Sequence, residues 1–138
     1  MKPQMKGFSL IELLIVVAIV GVLAVIATGI SSSSSEKARL ASAKTVMVEI
    51  QNKQERAAIN QRRYVSLTDL GYTSPLFINA EGNSSAQAQA FYQIEMVVPD
   101  DFSYTITATP INGQVKNSCG ALTINNQGDK TAVGGNCW

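Results

Sequence analysis

Glu12 is a carboxylate set inside an apolar run from Phe8 to Ile30, behind a short leader, residues 1–7, that carries Lys2 and Lys6. An ionised acid in hydrocarbon costs up to about 3 kcal/mol on insertion scales, so it calls for a cationic partner at the same depth. A cut after Gly7 would supply one, the new amino group of Phe8. That amine and Glu12 of the same helix share its first turns and meet with poor geometry. A staggered neighbouring copy could bring its own Phe8 amine against Glu12 instead. The chemistry is a processing cut followed by an ion pair between copies, which points to a self-assembling subunit. Two further groups stand out. Cys119 and Cys137 lie 18 positions apart. Asp100 and Asp101 are adjacent acids after Pro99, ordinary turn chemistry with at most weak calcium affinity.

The elements that must hold these groups are legible in outline. The run 8–30 is long enough to cross a hydrocarbon layer of ~30 Å as a helix. Gly29 and the five serines Ser31–Ser35 follow it. Serine costs about 0.5 kcal/mol and glycine about 1 kcal/mol relative to alanine, so a long helix would bend or melt here. A helical pattern resumes at once: Leu40, Ala43, Met47, Ile50, Gln54 and Ala57 recur at three- and four-residue spacing. One helix from Phe8 to about Asn60 is predicted, its 8–30 half buried in membrane or filament and its 31–60 half amphipathic. A flexible linker at the serines is the alternative.

Residues 61–90 lose periodicity and read as a connecting loop with at most one helical turn, anchored by Tyr64, Leu67, Leu70, Tyr72, Leu76 and Phe77. From 91 to 138 the pattern is β. Tyr92, Ile94, Met96 and Val98 alternate, as do Phe102, Tyr104, Ile106 and Ala108, and then Leu122 and Ile124. These aromatic and aliphatic side chains are expected in the core. Asn112-Gly113 is a strong turn signal. A helix followed by hairpin-linked strands is an α+β layout, an antiparallel meander packed on one long helix.

The segment Gly7-Phe8-Ser9-Leu10-Ile11-Glu12, with the basic leader before it and the apolar run after it, resembles the N-terminus of the type IV pilin superfamily. A general secretory signal differs, since its apolar region precedes a cut after small residues. Two more stretches are similar to PilE-like minor pilins: Gln61-Arg62-Arg63-Tyr64 ahead of Leu67, Leu70 and Gly71, and Cys119-Gly120-Ala121-Leu122-Thr123-Ile124 with Lys130-Thr131 and Cys137-Trp138. The resemblance implies the type IV pilin fold. It also implies that a prepilin peptidase cleaves between Gly7 and Phe8 and N-methylates Phe8, and that Glu12 serves assembly. The implied partners are other pilin subunits through the N-terminal helix, the processing enzyme, the pilus assembly platform and the inner membrane before assembly. The implied role is a minor subunit of an extensible surface filament for twitching, adhesion or surface contact. A pseudopilin of a type II secretion system, a DNA-uptake pilin and a major pilin are the alternatives.

Export to an oxidising compartment makes Cys119 and Cys137 a disulfide, closing a loop at a gain of about 3 kcal/mol in the chain-entropy model. The 138-residue chain contains no histidine, so two thiolates would make half a zinc site, and no metal or cofactor is expected. No nucleophile motif or phosphate loop is present, which argues against an enzyme. From Glu36 onward nine basic residues face nine acidic ones. That balance disfavours nucleic acid as a partner, because such a partner needs concentrated positive charge. The candidates for a local patch are Arg56, Arg62, Arg63, Lys116 and Lys130. Trp138 reads equally as a plug beside the disulfide or as an exposed contact.

Overall fold

A computed structural model of the protein describes residues 8–138, with side chains described outside 26–32. Helix α1 spans Leu10–Gln61, and five strands follow: β1 (Leu76–Ile78), β2 (Tyr92–Asp100), β3 (Ser103–Pro110), β4 (Leu122–Asn125) and β5 (Lys130–Ala132). The helical backbone continues through Ser31–Ser35. Serine's small per-residue cost does not by itself end a helix that is favourable on both sides. The chain divides into two compact units at Ser35, with the second unit being Glu36–Trp138.

Within that second unit the strands form one antiparallel sheet in the order β1-β2-β3-β4-β5. The helical stripe read from spacing is the buried one: Ala43, Met47, Ile50 and Gln54 are fully buried. They meet Tyr92, Ile94, Tyr104, Ile106, Ala108, Leu122 and Ile124, the inward-facing alternates of β2, β3 and β4. Met96 and Val98 are half-buried against the same cluster. A helix covering one face of an antiparallel sheet is the α+β fold expected from the pattern.

Two local expectations fail. The segment 61–90 contains a strand, β1, pairing Leu76 with Ile94 and Ile78 with Tyr92. Three residues are too few to display alternation, yet Leu76 and Ile78 are buried, so tertiary pairing decides what periodicity could not. Phe102 is 78% exposed rather than in the core. It sits in the β2–β3 turn, where the register shifts between Val97 and Asp100, and β3 begins one residue later. Strand alternation does not extend into a turn. Asp100 shapes that turn by accepting the Phe102 N–H and the Ser103 hydroxyl, both at 2.8 Å.

The end of α1 is fixed by a local device. Arg62 adopts a left-handed conformation, φ 58°, and its N–H donates to the Ala58 carbonyl at 2.8 Å. That closure turns the chain out of the helix at the position where glycine is usual.

Candidate functional site

Of the N-terminal residues singled out by sequence, Gly7 lies outside the described residues. Phe8 precedes α1 and Glu12 occupies its first turn, both exposed. Every large apolar side chain from Phe8 to Val25 is at least half exposed. A helix that is apolar on all sides is stable where something else buries it. Among the described residues, no helix is long and apolar enough to cross a membrane.

The C-terminal region forms a second, differently built site. Cys119 and Cys137 are joined by a disulfide with their Cα atoms 5.7 Å apart. The Asn117 carboxamide oxygen accepts the N–H groups of Cys119 and Gly120, both at 2.8 Å. The Gly134 N–H donates to the Cys119 carbonyl at 2.9 Å, so the segment after β5 is laced to the loop before β4. This leaves Trp138, next to the bonded Cys137, folded back along the edge strand β5. Its indole N–H donates to the Thr131 carbonyl at 2.7 Å. Two ammonium groups approach its ring: Lys130 of β5 at 5.3 Å from the centroid and Lys44 of α1 at 5.8 Å. Helix and edge strand thus place two cations at one aromatic ring.

Other charges are more fully occupied. Lys53 pairs with Glu49 at 3.3 Å and lies 4.2 Å from the centre of the Tyr72 ring. The Tyr72 hydroxyl donates to the same Glu49 oxygen at 2.8 Å, and this bond, followed by Lys53, holds the Glu49 carboxyl below its ordinary range. Arg39 stacks on Phe91 at 3.7 Å. Among the described residues the Lys53–Glu49 contact is the one ion pair, so no carboxylate neutralises Lys44 or Lys130 at contact distance. Arg56, Arg62, Arg63 and Lys116 are exposed. Both oxygens of Asp100 are used inside its turn, and the Phe102 N–H above all holds its carboxyl below the usual range.

The family described as type IV minor pilin ComP, DNA uptake sequence receptor, matches residues 32–123, about two-thirds of the chain. The chain belongs to that family. The prokaryotic N-terminal methylation motif matches residues 2–28. A type IV pilin from Shewanella oneidensis shares the fold, with a TM-score of 0.55 at 20% identity, covering 75% of this chain and 97% of that one. No curated protein matches.

Within this minor-pilin frame, the site holds one thing sequence reasoning missed. Lys130 and Trp138 stand among the candidates read from the sequence, and Lys44 does not. Its meeting with Trp138 needs α1 to lie over the sheet with one flank toward β5. The usable signal was the tether: a tryptophan directly after a bonded cysteine cannot stray far from the sheet.

Proposed function

We propose that this minor pilin is a receptor for duplex DNA carried on a type IV filament. The family match over residues 32–123 carries the reading, because the family's description names that role. It outweighs the balanced net charge. DNA affinity depends on how many phosphates the local cations neutralise, and balance over a whole domain does not measure that. The Lys44–Trp138–Lys130 corner supports it, offering beside an aromatic ring two cations that no carboxylate among the described residues pairs.

The N-terminus supplies the route to the filament. The peptidase cut falls between Gly7 and Phe8, with N-methylation of Phe8. The apolar run then holds the subunit in the inner membrane, with Glu36–Trp138 on the periplasmic side, until assembly transfers it to the surface. In the filament Glu12 pairs with the Phe8 amine of a neighbour, setting axial register. The match of the methylation motif to residues 2–28 and the uncovered apolar surface of Phe8–Val25 support this part.

The test is direct. The full chain in neutral detergent, titrated into labelled duplex, should bind with log K falling linearly against log salt between about 50 and 200 mM. Absence of binding at the low end would overturn the receptor reading.

A further inference from the structure

We infer that Trp138 is a positioning residue for DNA phosphate, an uncharged ring that gathers the ammonium groups of Lys44 and Lys130 into one two-cation clamp. The inference rests on the DNA-receptor reading above.

The two lysines come from different elements, α1 and the edge strand β5, and their like charges repel. Both nonetheless lie over the ring of Trp138, at 5.8 and 5.3 Å from its centroid. The negative face of an indole attracts ammonium groups at this range and offsets their repulsion. Both being bound to one point, the two nitrogens are no farther apart than the two distances laid end to end, roughly 11 Å. On B-DNA, successive phosphates of one strand are separated by about 3.4 Å along the axis. A pair within that span can engage two near-neighbour phosphates of the same strand. Phosphate contacts of this kind fix position and supply affinity without reading sequence.

The ring is itself held from two sides. Its N–H is bonded to the Thr131 carbonyl at 2.7 Å, in the residue that follows Lys130. Its chain neighbour Cys137 is bonded to Cys119. Such a ring is pre-ordered before any ligand arrives, so the lysines need not be collected at the moment of binding. Lys130 and Trp138 also lie beyond residues 32–123, the stretch shared with the family. The family match therefore assigns these two residues no role, and the clamp is a contact beyond it.

A neutral residue that sets charge positions has an unusual signature: removing it changes salt dependence although no charge is lost. The experiment uses the full chain in neutral detergent, labelled duplex, and the slope of log K against log salt for the wild type, K44Q, K130Q, W138A and W138F. Each lysine variant should lower the slope by about 1. W138A should also lower it by about 1 or more, with a loss of affinity of about 3- to 10-fold. W138F should recover most of the slope, because a phenyl ring keeps an attractive face while losing the bond to Thr131. Retention of the disulfide in each variant, checked by mass, separates the effect from misfolding. A wild-type slope in W138A beside reduced slopes in K44Q and K130Q would overturn the clamp and leave the receptor reading standing. A reduced slope in W138A that W138F does not restore would also overturn it, since the ring face would not be the cause. No duplex binding by the wild type would overturn both.

Discussion

The buried side-chain amide of Gln54 grips both backbone polar groups of Val65: the Val65 N–H donates to Gln54 Oε1 at 3.1 Å, and Gln54 Nε2 donates to the Val65 carbonyl. Gln54 is fully buried on α1 and Val65 is 5% exposed in the segment that leaves it. This one residue therefore does for the connecting segment what a ladder does for a strand. Gln54→Leu keeps the volume and leaves two buried backbone groups unpaired, each costing about 1–3 kcal/mol. A destabilisation of about 2–4 kcal/mol is expected, read as a fall in Tm of roughly 10 °C or more by circular dichroism. An unchanged Tm would show that the pairing is incidental.

Gln54 also marks how far the sequence could be read. Spacing put it correctly on the buried stripe beside Met47 and Ile50, because a 3.6-residue period depends only on which positions face inward. What it grips there was not legible, since hydrogen-bond partners depend on the path of a segment without periodicity. The same limit hid β1, whose three residues acquire their strand character from Tyr92 and Ile94 opposite. It hid the exposure of Phe102 too, as a turn breaks alternation one residue before β3. The N-terminal motif was legible from residue order alone, whereas the Lys44–Trp138 contact required knowing which flank of α1 faces β5.

Gly134 is a test of the lacing around the disulfide. A Cβ built there would stand 1.7 Å from the Ser118 carbonyl oxygen, a backbone atom with little room to yield. Gly134→Ala must push the segment after β5 away from Ser118 and Cys119. A cost of about 1–3 kcal/mol or more is expected from such overpacking. Chemical denaturation of the oxidised protein measures it, and a variant within about 0.5 kcal/mol of the wild type would show that this segment moves freely.

Alkaline pH should loosen the core through Tyr104. Burial first, and then the negative charge of Glu55, whose Oε1 accepts the Tyr104 hydroxyl at 3.2 Å, raise this phenol well above its ordinary range. Burial likewise raises Tyr92. The folded state disfavours the phenolate, so the stabilisation is complete below the unfolded value of about 10 and is lost as pH rises through the folded one. Stability measured in urea should be level near neutrality and fall above about pH 10, with tyrosinate absorption appearing together with unfolding. Tyr104→Phe should flatten that decline, and tyrosinate forming in a fully folded protein would refute the linkage.

Glu12 is expected to matter for assembly and not for processing. Glu12→Ala should still be shortened at Gly7 and methylated at Phe8, as mass spectrometry of the membrane fraction would show. Its incorporation into sheared filaments should fall at least about tenfold, because an amine buried without its partner is strongly unfavourable. Wild-type incorporation would remove Glu12 from the account of register.

The receptor role itself is tested most directly by uptake of labelled duplex DNA in the native host with this chain deleted, filaments being counted on the same cells. Uptake should be lost while filament number holds, and re-expression of the wild-type chain should restore it. Uptake at the undiminished level without the chain would mean that this minor pilin serves the filament in some capacity other than carrying DNA.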